Sequence, residues 1–260
     1  MDHDLQALLG LAERLARQAA AAIMEVRARG CAIETKADET PVTEADRAAE
    51  ALIVAGLRAA TSAIPVVAEE EVAAGRIAEA APLFWLVDPL DGTREFAADR
   101  PDFAVNIGLV RDGRPLLGAV ALPATGELFT GIVGPVARGG GAWKQDGSGR
   151  RPIAARRIPP EGAVIYASRH YADDPRIAAF AAGHRVARLV NVGSAVKFCR
   201  IAEGEGDLYP RFGVTMEWDT AAPQAVVEAA GGSVTVEGGA PLLYGKPGWR
   251  NPDFLCRGLA

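Results

Sequence analysis

The chain of 260 residues is long enough for one large domain, or for two modest domains that share an interface. Hydrophobic residues make up 49% of it, which can build a sizeable core, but no stretch approaches the roughly 18 apolar residues of a membrane helix. The net charge of -5 argues against general affinity for nucleic acid or an anionic membrane surface, and leaves room for a local basic pocket that binds a phosphorylated small molecule.

The cysteines indicate a reducing compartment. Cys31, Cys199 and Cys256 lie far apart and form no CxxC pair, so neither a zinc knuckle nor a disulfide framework is indicated. The N-terminus is acidic where a signal peptide would be basic. We therefore expect a cytoplasmic protein, and the sequence leaves open a peripheral association with the inner face of the cell membrane.

Two helices are predicted in the first 60 residues. Apolar residues recur at helical spacing over 4–29, which predicts an amphipathic helix. A second helix is predicted over 44–60, with Thr43 as its N-cap and Pro41 preventing a helix from running in.

Short apolar runs then predict strands, and the first two of them end in acidic residues. These strands cover 65–68, 84–87, 103–110, 116–122 and 128–133, and loop-like segments follow at 138–141 and 147–149. The charged, proline-bearing segment 150–160 is the candidate boundary between domains 1–157 and 158–260.

The second half alternates between strands and helices. Strands are predicted at 163–168, 186–190 and 207–209, and helices at 175–182, 194–202 and 219–230. Regular alternation of this kind predicts an α/β half that follows an α+β half.

Acidic residues stand at three places where an apolar run meets a turn. They are Glu69, the pair Asp88 and Asp91, and Asp219. Read singly, the pair is a turn, Glu69 belongs to a solvated loop and Asp219 is a helix N-cap. Clustered carboxylates repel one another unless a cation neutralises them, and Mg²⁺ favours an all-oxygen shell. Together these acids predict a divalent-metal site.

The segment between Asp88 and Asp91 strengthens this prediction. Pro89 restricts the backbone, and Gly92 permits a turn that a residue with a Cβ would resist. Such a turn would aim both carboxylates and the Leu90 carbonyl at one point. It would also direct the backbone amides that follow at an anion, as helix N-termini do.

Several segments resemble a known family. Those at 41–46, 68–70, 85–96 and 218–232 resemble, in order, motifs of the inositol monophosphatase-like superfamily. Those at 36–38, 193–199, 202–204 and 208–213 look like its bacterial 3′(2′),5′-bisphosphate nucleotidase branch, of the CysQ type. The resemblance implies a layered αβαβα sugar-phosphatase-type fold. It also implies a lithium-sensitive phosphatase with two or three Mg²⁺ ions, which releases the 3′-phosphate of 3′-phosphoadenosine 5′-phosphate, a by-product of sulfate activation, to give AMP.

The resemblance also implies roles for individual residues, all named by their positions in this sequence. The implied metal ligands are Glu69, Asp88, the Leu90 carbonyl, Asp91 and Asp219. The attacking water would be positioned by Glu69, Asp46 and Thr93. The substrate would be held by Leu90, Asp91, Gly92, Thr93, His170, Ser194, Lys197, Arg211 and Asp219. The first domain would thus carry most metal ligands, and the second Asp219 and the recognition residues.

Two alternatives stay open. One is an inositol monophosphatase or another sugar phosphatase on the same scaffold. The other is a non-catalytic protein that binds a phosphorylated metabolite; its hallmark would be a missing metal carboxylate, and none is missing. Without the resemblance, Lys197 would be taken for a snorkelling helix residue and Arg211 for half of a surface ion pair. We expect a small phosphorylated nucleotide as partner and no nucleic acid, whereas the choice between a monomer and a homodimer is left open.

Overall fold

The computed structural model describes residues 4–30, 33–35, 41–76 and 81–260. Within these ranges the α-helices are α1 (Leu5–Arg29), α2 (Glu44–Ala60), α3 (Glu69–Ala73), α4 (Thr93–Ala97), α5 (Pro175–Ala182), α6 (Val196–Ala202) and α7 (Ala221–Ala229). The strands in the first half are β1 (Ile33–Thr35), β2 (Pro41–Thr43), β3 (Val66–Ala68), β4 (Leu83–Asp91), β5 (Ala104–Arg111), β6 (Arg114–Leu122), β7 (Glu127–Ile132), β8 (Gly141–Asp146) and β9 (Gly149–Ile153). Those in the second half are β10 (Ala163–Ser168), β11 (Val186–Val192), β12 (Leu208–Arg211), β13 (Ser233–Val236) and β14 (Phe254–Arg257).

Local capping fixes the starts of the first two helices. The Asp4 carboxylate accepts hydrogen bonds from two amides in the first turn of α1. At the start of α2, the Thr43 side chain accepts from a first-turn amide, and Asp46 Oδ2 accepts from the Thr43 amide at 2.7 Å. Both predicted helices and the predicted N-cap at Thr43 are therefore confirmed.

The larger sheet, β3 to β9, holds its strands in chain order. β3 and β4 are parallel, and the later neighbours are antiparallel. Helices α1 and α2 cover one face, where Leu9, Ile23 and Ile53 share a core with Trp85 and Leu109 of the sheet. This face is sealed by apolar side chains at helical spacing, as the sequence predicts.

The smaller sheet, β10 to β14, has the order β11-β10-β12-β14-β13. Its outer face carries α5, where Phe180 packs on Ala163, Ile165 and Leu208. Helices α6 and α7 lie between the two sheets and share one core with both of them. The layers are thus helices, larger sheet, helices, smaller sheet and helix, which confirms the predicted αβαβα fold. The chain passes from one sheet to the other between Ile153 and Ala163, which overlaps the segment predicted as a boundary, and the division into two domains stays a prediction.

Small residues let α7 approach the larger sheet closely. A Cβ on Gly118 would overlap the carbonyl oxygen of Ala222, and a Cβ on Gly108 would lie 2.7 Å from the Ala222 amide nitrogen. Because no larger side chain fits at these two positions, the distance between α7 and the sheet is set by backbone contact.

The structure corrects four boundaries and adds strands. The segment predicted as a loop at 138–141 leads into β8, and the one at 147–149 leads from β8 into β9. The two strands form a hairpin at the exposed edge of the sheet, and their mostly polar side chains gave no apolar run from which to predict them. The helix predicted from 194 begins at Val196, because Ser194 adopts a φ of 56°. The helix predicted from 219 is preceded by a 3₁₀ turn at Glu217–Asp219. β13 and β14 were not predicted, and the motif segment 36–38 and Cys31 lie outside the described residues.

Candidate active site

One cavity gathers the predicted site residues. It has a volume of about 340 Å³ and receives residues from both sheets. Predicted residues that line it are Glu69, Asp88, Leu90, Asp91, Gly92, Thr93, His170, Ser194, Lys197, Arg211 and Asp219. Asp46 is buried behind this wall and reaches the cavity through Thr93. The residues predicted from separate motifs therefore meet in one place.

The end of β4 places Asp88 and Asp91. The sequence predicts a turn here, but the strand continues to Asp91, and its register with β5 is irregular between the two acids. Pro89, which lacks an amide hydrogen, fits at such an irregularity because no ladder bond is required of it. Gly92 then has a φ of 93°, and a Cβ there would lie 2.9 Å from the Asp102 carbonyl oxygen. The predicted need for glycine at this position is confirmed.

The cavity carboxylates repel one another. Burial raises the pKa of Asp88 well above its usual range, and the charges of Glu69, Asp91 and Asp219 raise it further. Burial likewise raises the pKa of Asp219, and the charge of Asp91 adds to this. The ionised forms of these acids are therefore disfavoured without a partner, and a bound cation would favour them by neutralising their mutual repulsion.

The donors at this wall suit a hard divalent cation such as Mg²⁺. They are carboxylate oxygens together with the Leu90 carbonyl, and Mg²⁺ prefers oxygen ligands. The donor atoms are of the right type, but they are not arranged as a complete ligand set. In the described ranges, no group of three or more acidic, histidine or cysteine side chains is close enough together to hold one metal ion. The individual ligand roles therefore stay predictions.

A chain of hydrogen-bonding groups fixes the Thr93 hydroxyl. Its Oγ1 lies 3.0 Å from Asp46 Oδ1 and 3.1 Å from the Leu90 carbonyl oxygen. The other Asp46 oxygen accepts from the Thr43 hydroxyl and amide, both at 2.7 Å. Because a hydroxyl has one proton, Thr93 can donate to Asp46 and keep lone pairs for a water in the cavity.

A second contact joins the two motif regions. Ser194 Oγ donates to Asp91 Oδ2 at 2.8 Å, and the Ala195 amide donates to the same oxygen at 2.6 Å. The left-handed backbone of Ser194 presents both donors together. One oxygen of Asp91 is thus committed to the start of α6, which fixes that helix relative to β4.

Lys197 and Arg211 supply the cationic wall. Lys197 is buried; its Nζ donates to the carbonyl oxygens of Ser194 and Val192 and lies over the Tyr209 ring. Burial lowers its pKa to about 8. Arg211 donates from Nη2 to the Val214 carbonyl oxygen at 2.6 Å. Lys197 is therefore not a snorkelling residue.

Among the cavity residues that were not predicted as site residues, Glu95 and Tyr171 make notable contacts. Glu95 is buried, and its Oε1 lies 2.9 Å from His170 Nε2. Gly193 makes room for it, because a Cβ there would lie 2.6 Å from the Glu95 carboxyl carbon. The other residue, Tyr171, directly follows His170 and lies against Arg211. Glu95 lies within the motif segment 85–96 and Tyr171 directly follows His170, and these positions are the local signal that the sequence offers.

Pro223 and Gln224, in α7, lie away from the cavity wall. Gln224 is fully buried; its Nε2 donates to Glu228 at 2.7 Å, and its Oε1 accepts from the Tyr244 hydroxyl at 2.6 Å. Gln224 thus serves the packing of α7 and does not contribute to the cavity.

A layered fold with clustered carboxylates beside a cationic wall defines a phosphatase-type site, and comparisons with known proteins assign the family. Residues 4–253 match the sequence profile of the Inositol monophosphatase family, and the chain belongs to that family. It is 41% identical to the 3′(2′),5′-bisphosphate nucleotidase CysQ of Escherichia coli O157:H7, over 93% of this chain and 96% of that protein. It is 36% identical to the CysQ of Buchnera aphidicola, over 89% of this chain and 85% of that protein.

Solved structures agree. CysQ from Bacteroides thetaiotaomicron superposes with a TM-score of 0.81 at 31% identity and covers 99% of both chains. The inositol monophosphatase from Anabaena gives a TM-score of 0.77 at 27% identity, over 99% of this chain and 92% of that one. The predicted resemblance to the family and to its nucleotidase branch is confirmed. In the described part of the chain, no helix is both long enough and apolar enough to span a bilayer.

Proposed function

We propose that the protein is a Mg²⁺-dependent 3′(2′),5′-bisphosphate nucleotidase that hydrolyses the 3′-phosphate of 3′-phosphoadenosine 5′-phosphate to AMP and phosphate. One observation carries this proposal: a single cavity joins the acidic side chains of Glu69, Asp88, Asp91 and Asp219 to Lys197 and Arg211. The acids suit a cation and a reacting phosphate, and the two basic residues suit a second phosphate. Similarity to CysQ proteins over nearly the whole chain supports the same substrate.

Family membership implies a divalent cation, and we assign two or three Mg²⁺ ions to the oxygen donors on the carboxylate wall. The residues that would hold them are Glu69, Asp88, the Leu90 carbonyl, Asp91 and Asp219. When bound, the ions neutralise the phosphate monoester and stabilise the charge that develops on the attacking and leaving oxygens. The raised pKa values of Asp88 and Asp219 support this assignment.

The chain's own residues orient the nucleophile. Thr93 donates a hydrogen bond to Asp46, so it can take a proton from a water in the cavity as its own hydroxyl proton passes to the Asp46 carboxylate. Glu69, at the start of α3, faces the same cavity and orients that water. The water attacks phosphorus in line with the bond to the ribose 3′ oxygen; that bond breaks, and the leaving oxygen takes a proton from solvent water to become the 3′-hydroxyl. No phosphoenzyme is formed.

The remaining residues hold the nucleotide. Lys197 and Arg211 recognise the second phosphate, which a simple inositol phosphate lacks. Ser194 hydrogen-bonds Asp91 and directly precedes the helix that carries Lys197, so it links the acidic wall to the cationic wall. His170 borders the same cavity.

A phosphate-release panel with Mg²⁺ tests the proposal. The substrates are 3′-phosphoadenosine 5′-phosphate, inositol 1-phosphate and fructose 1,6-bisphosphate, each measured with and without EDTA and lithium. We expect the highest kcat/KM for the nucleotide, no activity in EDTA and inhibition by lithium. A higher kcat/KM for inositol 1-phosphate would replace the proposal with an inositol monophosphatase, and no release from any substrate would indicate a non-catalytic protein.

A further inference from the structure

We propose that Tyr171 is a positioning residue that holds the Arg211 guanidinium against the second phosphate and so sets the preference for bisphosphates. This inference rests on the proposed nucleotidase function. Its central observation is the contact between the two side chains: the Arg211 guanidinium carbon lies 4.5 Å from the centre of the Tyr171 ring. A guanidinium over an aromatic face is attracted by the ring's quadrupole, and more strongly where water is excluded.

Arg211 is prepared for an anion. It ends β12, where its backbone pairs with Phe254 of β14. Nη2 donates to the Val214 carbonyl oxygen at 2.6 Å, whereas the buried Nε has no hydrogen-bond partner among the described residues. The guanidinium is therefore fixed at one end by a carbonyl and on one face by a ring, and it keeps donors for a ligand. Its planar fork matches a phosphate.

Tyr171 is itself held in place. It belongs to the 3₁₀ turn Arg169–Tyr171, which follows β10. Arg169 Nη2 lies 2.5 Å from Asp102 Oδ2, and His170 Nε2 lies 2.9 Å from Glu95 Oε1. Both acids belong to the region that follows β4. The turn is thus anchored to the carboxylate side of the cavity, and its third residue meets Arg211 on the other side.

Gly213 makes the ring position available. A Cβ at this residue would lie 2.9 Å from two carbon atoms of the Tyr171 ring. Since real Cβ atoms do not come that close, an alanine here would displace the ring from its present position over Arg211. The same contact can therefore be disturbed from two independent positions in the chain.

The test compares two substrates that share a base and a 3′-phosphate. These are 3′-phosphoadenosine 5′-phosphate and adenosine 3′-monophosphate, which lacks the 5′-phosphate. For Tyr171→Leu we expect KM for the bisphosphate to rise roughly five- to thirtyfold, and KM for the monophosphate to rise far less. Tyr171→Phe keeps the ring, so its KM for the bisphosphate should stay close to that of the wild type. Gly213→Ala should raise this KM by less than Tyr171→Leu does.

Double variants show whether Tyr171 acts through Arg211. In an Arg211→Ala background, Tyr171→Leu should change KM for the bisphosphate by less than about twofold, because the group that it positions is gone. Gly213→Ala should likewise add nothing to Tyr171→Leu. An equal rise in KM for both substrates, or additive effects in the double variant, would show that the ring stacks directly on the base and would overturn the inference.

The wild-type enzyme separates this inference from the function on which it rests. If the wild type prefers the bisphosphate and the Tyr171 variants raise KM equally for both substrates, the inference about Tyr171 fails and the proposed function stands. If the wild type hydrolyses neither nucleotide, or shows no preference for the bisphosphate, the proposed function fails and takes this inference with it.

Discussion

The pKa of Glu50 reflects the burial and the negative charge behind the carboxylate wall of the cavity. This residue of α2 is 5% exposed, and its Oε2 accepts the Glu70 amide at 2.7 Å. Burial raises its pKa from 4.5 to about 7; the amide hydrogen bond opposes this rise, and the charges of Glu70, Glu71 and Glu69 add to it. The folded protein thus keeps a proton on Glu50 at a pH where the unfolded chain has released it.

This difference makes stability depend on pH in a defined direction. Above pH 4.5 the unfolded chain loses the Glu50 proton, whereas the folded protein keeps it until the pH reaches about 7. Unfolding therefore releases a proton in this window, and the free energy of unfolding falls as pH rises. A pKa shift of this size corresponds to about 3 kcal/mol in the free energy of unfolding. This contribution is fully lost once the pH rises above the pKa of Glu50 in the folded protein.

Glu50→Gln isolates the contribution. The amide oxygen can still accept the Glu70 amide, but the side chain no longer titrates. We expect urea unfolding in EDTA to give similar stabilities for the variant and the wild type at pH 4.5, and a variant more stable by up to about 3 kcal/mol at pH 8. Glu44→Gln, at the exposed start of the same helix, is the control and should follow the wild type. If Glu50→Gln also follows the wild type at every pH, Glu50 does not hold its proton in the folded state, and the reasoning is refuted.

Three further variants test the site and its support. Asp91→Asn should lower Mg²⁺-dependent phosphate release by at least about a hundredfold with an unchanged far-UV spectrum, since it removes the charge of a proposed cation ligand and leaves an amide oxygen that can still accept at the start of α6; near-normal turnover would contradict the ligand role. Lys197→Ala should raise KM for the bisphosphate far more than for a monophosphate. Equal effects on both KM values would contradict a role of Lys197 in recognising the second phosphate. Gly118→Ala should cost roughly 1–3 kcal/mol in urea unfolding, because it forces α7 off the sheet, and should lower kcat. Gly10→Ala is the control, since a Cβ there meets nothing within 4 Å, and a loss in both variants alike would contradict the packing argument.

Local signals explain what the sequence predicts well. The apolar spacing of α1 and α2 and the Thr43 cap are interactions between near neighbours in the chain, so their bounds can be read directly. The acids Asp88 and Asp91 are found because they end an apolar run. The hairpin of β8 and β9 is missed because its side chains are polar and its strands form through pairing with β7, which no local pattern records.

Long-range contacts account for the rest of the site. Ser194 meets Asp91 across 103 positions of sequence, and this contact also gives Ser194 the backbone angle that delays α6. The Asp219 turn is set by packing against β4, so a helix pattern alone places it at the helix start. Tyr171 is an ordinary aromatic residue after a strand, and only the folded chain reveals the guanidinium beside it.

The two sheets divide the work of the cavity between them. Glu69 follows β3, Asp88 and Asp91 belong to β4, and the turn that carries Asp219 packs on β4. Arg211 and Tyr171 extend from the smaller sheet. With the roles proposed above, bond cleavage and choice of substrate belong to separate layers of one fold. Substitutions in the loops of the smaller sheet can redirect such an enzyme to another phosphorylated molecule while its hydrolytic apparatus is inherited unchanged.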